Sequence, residues 1–258
     1  MAVNPRQPDG NGASSRAAED EAAALEARYG WLEPETVIEL AVDRFFPGQI
    51  AAVSSFGADS AVLLHMIARI DRSLPVLFLD TGKHFDATID YRDALVSDLG
   101  LTSVVAVKPD AGTVASVDPA GDLHKTSPDA CCHIRKVEPM ARAVAPFGAW
   151  FTGRKRFQAA TRQGLPTFEA AGERVRVNPL ASWTVDDIKN YLYTNNLRRH
   201  PLVAYGYLSI GCQPCTSPVR PGQSVRSGRW AGRAKTECGI HFAADGSIMR
   251  MSGEIGAG

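Results

Sequence analysis

The residues best suited to chemistry in this chain are five cysteines. Cys131 and Cys132 are adjacent, Cys212 and Cys215 bracket Gln213-Pro214, and Cys238 stands alone in Glu237-Cys238-Gly239-Ile240-His241. Thiolates are soft ligands, and four of them can satisfy tetrahedral zinc or an iron-sulfur cluster. Zinc sites commonly space paired cysteines by two or more residues, so the adjacent pair favours the larger cluster over zinc. Buried core thiols or a redox dithiol at the CxxC are the other readings. A dithiol would leave Cys131 and Cys132 without a role.

Cys238 falls outside both pairs. Arg233 and Lys235 precede it, and positive neighbours stabilise a thiolate and make it a nucleophile near neutral pH. Glu237 opposes that effect unless it faces solvent or pairs with a base. His241 is a candidate to assist, with a solvent-facing histidine as the alternative. The structural alternative for Cys238 is a small hydrophobe packed back on the domain.

A nucleophilic sulfur needs an electrophile, and the rest of the chain suggests an anionic nucleotide. Ser54-Ser55-Phe56-Gly57-Ala58-Asp59-Ser60 follows an apolar run and precedes a helical one. Small residues there let main-chain amides approach phosphate or sulfate oxygens, helped by the helix dipole. The segment is neither a Walker loop nor a GxGxxG fingerprint. Lys136, Arg154, Arg156, Arg162, Arg226 and Arg229 flank the cysteine groups, and arginine forks match tetrahedral anions. Taken singly, each is more often a solvated surface charge.

The elements that must position these residues read as alternating strand and helix. Strands are expected at 50–53, 75–79, 102–107, 149–152 and 174–177, and helices at 17–29, 34–45, 61–70 and 85–99. A further helix over 130–144, interrupted by Pro139, places Cys131 and Cys132 in its first turn. Thr184 with Asp187 forms an imperfect capping box for a helix through Tyr193. Residues 108–128 read as a loop. The alternation implies an α/β fold with an open, mostly parallel sheet and helices on both faces. Three segments are expected: a disordered leader at 1–16, an α/β body at 17–215, and a flexible arm at 216–258 that carries Cys238.

The chain has 258 residues with 45% hydrophobic content, enough for a sizeable core, and its 28 Lys/Arg balance its 28 Asp/Glu. That balance gives no sign of a nucleic-acid-coating protein. No apolar run reaches membrane-spanning length, and the odd cysteine count suits a metal or redox site better than a secreted disulfide scaffold. A cytoplasmic setting without membrane or nucleic-acid partners is expected; the oligomeric state is not readable.

From about Ala51 to His241 the chain resembles the assimilatory sulfonucleotide reductases, in particular the iron-sulfur form that reduces adenylyl sulfate. The motifs are Ser54 to Ser60, Leu79-Asp80-Thr81-Gly82, Cys131-Cys132-His133-Ile134-Arg135-Lys136, Thr152-Gly153-Arg154, Cys212 to Cys215 and Glu237 to His241. The resemblance implies a fold of the adenine nucleotide alpha hydrolase (PP-loop) type. It implies a [4Fe-4S] cluster on Cys131, Cys132, Cys212 and Cys215, with Cys238 as nucleophile. It places Lys136, Arg162, Arg226 and Arg229, with Gly153 and Arg154, at the sulfonucleotide. Ser54, Ser55, Gly57 and Ser60 surround its anionic groups, and Leu79 lies near adenosine. Phe157 and Ala159 depart from the usual pattern.

The activity so implied is thioredoxin-dependent reduction of adenylyl sulfate to sulfite and AMP through a cysteine S-sulfonate, in sulfate assimilation and cysteine biosynthesis. A phosphoadenylyl-sulfate or dual-substrate reductase is the nearest alternative. An ATP pyrophosphatase-like sulfur transferase and a non-enzymatic, metal-binding nucleotide sensor are the others.

Overall fold

The computed structural model describes residues 10–233 together with Lys235. Its six strands run in the order β3-β2-β1-β4-β6-β5, with β1 Ile50–Ser54, β2 Val76–Leu79, β3 Val104–Val107, β4 Ala149–Phe151, β5 Phe168–Ala171 and β6 Arg174–Val177. Every neighbouring pair is parallel except β5 with β6. The open, mostly parallel α/β sheet expected from the sequence is therefore present.

Alternation along each strand divides the core into two layers. Ile50 and Ala52 of β1 face a large cluster that takes Val37 and Ile38 from helix α2 (Pro34–Leu40), Leu64 and Ile67 from α3 (Ser60–Ile70), and Leu95 from α4 (Asp86–Leu99). Ala51, Leu77 and Trp150 face the other way, onto Met140 and Val144 of α8 (Glu138–Val144). Helices therefore cover both faces. Helix α9 (Val185–Thr194) starts at the expected box: the Thr184 hydroxyl accepts from the Asp187 amide at 3.2 Å, and Asp187 accepts from the Thr184 amide at 2.8 Å.

Several boundaries differ from the sequence reading. Helix α1 spans Gly10–Tyr29, so residues 10–16 belong to a helix rather than a disordered leader. It covers the edge strand β5, with Ala18, Ala22 and Leu25 buried and Glu26 accepting the Phe168 amide at 2.8 Å. Residues 108–128 hold two short helices, α5 (Ala111–Val117) and α6 (Leu123–Thr126). The Asp110 carboxylate caps α5 at the Thr113 amide, 2.8 Å away. The expected single helix over 130–144 is α7 (Pro128–Cys132), a widened π turn (His133–Val137) and α8. Pro139 has no N–H for the fourth residue back, and the wider turn absorbs that break.

The expected arm also changes character. Thr216 bridges to Arg229, and Trp230 is 3% exposed, so residues 216–230 fold back onto the body. Apolar cover for the indole and hydrogen bonds for the arginine hold them there. Among the described residues, no helix is long and apolar enough to cross a membrane.

Candidate active site

Sheet order reverses direction between β1 and β4, since β1 leads on to β2 on one side while β4 comes from far along the chain on the other. Crevices at such switch points, beyond the carboxyl ends of the strands, are where open α/β sheets hold ligands. A cavity of about 300 Å³ opens there. Its walls include Ser54, Ser55, Gly57 and Ser60 after β1, Leu79 at the end of β2, Gly153 and Arg154 after β4, and Arg162 beyond. Lys136, Arg226 and Arg229 complete the set, so all eleven residues singled out as substrate-binding line one cavity.

The loop after β1 is fixed by an aromatic anchor. Phe56 has a positive φ of 47°, an uncommon state for a bulky side chain, yet it is fully buried and meets Phe78 edge-on at 5.5 Å. Its amide donates to the Ser54 hydroxyl at 3.1 Å, and the Ser60 amide donates to the Gly57 carbonyl. The loop is therefore held in shape by the protein itself. Near Leu79, His84 Nε2 donates to the Leu79 carbonyl at 2.8 Å, and burial holds the His84 pKa below its usual value.

Opposite this loop sits a cationic wall that sequence reading caught only in part. Arg154 and Arg176 both donate to Glu169 Oε1, the second at 3.2 Å, and Asn178 donates to the same oxygen at 3.0 Å. Arg176 lies 5.4 Å from the Trp150 ring centre, and burial pushes its pKa down to about 10 against the pull of Glu169. Arg162 donates to Gln158 Oε1 at 2.6 Å. Arg156, in contrast, is absent from the cavity wall and donates to the Leu165 carbonyl at 2.9 Å. Lys155 and Arg176 were not singled out, because a charged residue in a basic run or a strand reads as solvated until its neighbours are known, and their partners Asp59 and Glu169 carry no signal before the fold brings them together.

The four paired cysteines meet at a second, small pocket behind the first, bordered also by Lys83, Arg135 and Trp230. Cys131, Cys132 and Cys212 are buried and Cys215 is half-buried. Cys212 Sγ is 3.3 Å from the Thr81 hydroxyl, which in turn accepts the Lys83 amide. Arg135 is locked by a buried ion pair with Asp118 at 2.7 Å and donates to the Thr81 carbonyl at 3.0 Å. Burial pushes the Cys131 and Cys215 thiols up, opposed by Arg135 at the first and Arg229 at the second.

Among the described residues, no group of three or more His, Cys, Asp or Glu side chains is arranged to hold a metal ion. The chemistry of the pocket nevertheless suits a sulfur-rich centre. Its donors are four soft sulfurs, and the buried Nε1 of Trp230 and Nε of Arg229 meet no hydrogen-bond partner among the described residues. Lys136 and Arg229 border both pockets, joining thiol site to anion site.

Cys238 and His241 lie outside the described residues. The chain leading to them is anchored beside the thiol pocket: Arg233 donates to the His124 carbonyl, and Lys235 pairs with Asp129 and lies 5.8 Å from the Trp230 ring centre.

A cationic cleft at a sheet switch point, backed by a pocket of four thiols, defines an α/β enzyme for an anionic, nucleotide-like ligand with sulfur ligands or sulfur chemistry alongside. The model of the phosphoadenosine phosphosulfate reductase domain family matches residues 49–218, and the chain belongs to that family. It is accordingly an enzyme of oxidoreductase type whose chemistry is sulfonucleotide reduction.

It is 61% identical to the adenosine 5'-phosphosulfate reductase of Mesorhizobium japonicum, over 94% of this chain and 96% of the relative. It is 65% identical to the enzyme of the same name from Chelativorans sp., over 87% and 92%. The crystal structure of phosphoadenylyl-sulfate reductase from Candida auris superposes with a TM-score of 0.63 at 25% identity, covering 85% of this chain and all of that one.

Proposed function

We propose that the protein reduces adenylyl sulfate to sulfite and AMP, with reduced thioredoxin as electron donor and Cys238 as nucleophile. The observation that carries this reading is the convergence of the anion-binding residues on one cavity that shares Lys136 and Arg229 with the four-cysteine pocket. The names of the two bacterial relatives support adenylyl sulfate as the substrate.

The Ser54 to Ser60 loop and the cationic wall hold the phosphosulfate, with adenosine toward Leu79. The Cys238 thiolate attacks the sulfate sulfur; a sulfur–sulfur bond forms, the sulfur–oxygen bond to phosphate breaks, and its electron pair leaves with AMP. Lys136, Arg162, Arg226 and Arg229 offset the charge that builds on the departing phosphate. A thioredoxin thiolate then attacks Cys238 Sγ and expels sulfite, and the second thioredoxin thiol resolves the mixed disulfide. The two electrons come from thioredoxin, which ends as its disulfide.

Cys131, Cys132, Cys212 and Cys215 would hold a [4Fe-4S] cluster. When bound, the cluster supplies a fixed electrostatic centre beside the anion site and cross-links α7 to the segment after Gly211. Lys136 and Arg229 carry that influence to the substrate.

The deciding assay is anaerobic sulfite formation with reduced thioredoxin, comparing adenylyl sulfate with its 3'-phosphorylated form. Sulfite from adenylyl sulfate alone is expected; equal turnover of both would replace selectivity with dual use. Cys238→Ser is expected to abolish sulfite release, and full activity in that variant would reject the mechanism. Cys212→Ser is expected to lose iron and acid-labile sulfide together; retention of both would remove Cys212 from the ligand set.

A further inference from the structure

The phosphate loop carries a carboxylate of its own. Asp59 precedes the first residue of α3 and lies on the cavity wall beside Ser60 and Gly57. A carboxylate there opposes the loop's attraction for an oxyanion. The usual chemical remedy is a divalent cation held between carboxylate and phosphate oxygens.

This chain supplies a different cation. Lys155 Nζ lies 3.0 Å from Asp59 Oδ2, and the lysine is 1% exposed although it lines the same cavity. It comes from the loop after β4, while Asp59 comes from the loop after β1, so the pair spans the two strand ends that form the crevice. A buried ammonium must be matched by acceptors. Lysine has three N–H donors, and among the described residues Asp59 is the one acceptor its side chain meets at hydrogen-bond distance. The donors left over belong to a group on the wall of an anion site.

We propose that Lys155 is a substrate-contacting residue: its ammonium bridges Asp59 and an anionic oxygen of the bound phosphosulfate, taking the place of a divalent metal ion at the phosphate loop. This rests on the sulfonucleotide reading above. It accounts for a lysine in a buried position where a neutral side chain would pack at lower cost, and for a carboxylate tolerated within an anion site.

The test is calorimetric binding of adenylyl sulfate to the anaerobically prepared full chain in the presence of EDTA. Failure of the unaltered protein to bind would reject the sulfonucleotide reading itself. If it binds, Lys155→Met removes the charge and keeps the apolar stem, and the dissociation constant is expected to rise about tenfold or more, the scale of one charge-assisted hydrogen bond.

Mg²⁺ added in excess over the EDTA is expected to restore part of the loss, because Asp59 is uncovered. Should Lys155→Met fail to fold, the double variant Asp59→Asn/Lys155→Met carries the test, since it leaves no unpaired carboxylate. The double variant is expected to unfold at nearly the original temperature, yet to bind weakly with or without Mg²⁺. Unaltered affinity in the single variant, or recovered affinity in the double variant, would reduce Lys155 to a structural ion-pair partner and overturn the proposal. No effect of Mg²⁺ on the single variant would overturn the metal-replacing role.

Discussion

Gly211 shows how tightly single residues are specified where the two pockets touch. A Cβ built there would lie 1.8 Å from Arg229 Nη1, so the guanidinium crosses the space that any other residue would fill. Arg229 then donates to the Thr216 hydroxyl at 2.9 Å and stacks 4.6 Å over Trp230. Gly211→Ala is expected to push the flexible guanidinium aside while the fold survives. Steady-state kinetics should show KM for adenylyl sulfate raised about ten- to hundredfold, with an unchanged circular dichroism spectrum.

Residues of this kind differ in how far the sequence exposes them. The four paired cysteines are legible as a group because soft ligands at such spacing have few other uses. The Ser54 to Ser60 loop is legible because small residues follow an apolar run. Lys155 is not, since inside Gly153-Arg154-Lys155-Arg156 it reads as one more solvated charge. Only the fold turns it inward to Asp59 while sending its neighbour Arg156 to a backbone carbonyl.

At the level of elements, the 3-10 turn Pro201–Tyr205 is fastened to α4 by a neutral histidine. His200 is 1% exposed; its Nδ1 accepts the Leu202 amide at 3.2 Å, which leaves Nε2 to donate to the Thr88 hydroxyl at 3.0 Å. Burial pushes its pKa down to about 4. The unfolded chain binds this proton near pH 6.5 and the folded chain only near 4, so the stabilisation is complete above 6.5 and is lost as pH falls through that interval.

Urea unfolding is therefore expected to show a loss on the order of 2 kcal/mol between pH 7 and pH 4.5 that is absent in His200→Asn. An equal loss in both proteins would assign it to other groups. Helices α5 and α6 were not legible because α5 buries no residue and depends on its Asp110 cap rather than on an apolar stripe. Strand β5 escaped for a related reason: Phe168-Glu169-Ala170-Ala171 lacks a strand pattern and is ordered by pairing with β6 and by cover from α1.

Across the whole molecule, both core layers are built on the apolar runs of β1, β2 and β4, which is why the fold class could be read early, whereas the strand order is known only from the pairing. The edges follow from partners distant in sequence. Glu26 satisfies an amide 142 residues away, and no local pattern announces that contact.

The segment from Leu208 to Cys215 has a different consequence. Leu208, Ser209, Ile210 and Gly211 border the cavity, Cys212 and Cys215 border the thiol pocket, and Lys136 and Arg229 serve both. Energetic coupling between two sites is reciprocal, so any help the proposed cluster would give the nucleotide is returned in equal measure. With the proposed cluster in place, protein saturated with adenylyl sulfate is expected to shed iron into air more slowly than empty protein, followed by the bleaching of the cluster's visible absorbance; identical rates would mean the shared ribbon transmits nothing. Starved of its fuel, such an enzyme would age faster, and sulfur supply would set not only its turnover but its lifespan.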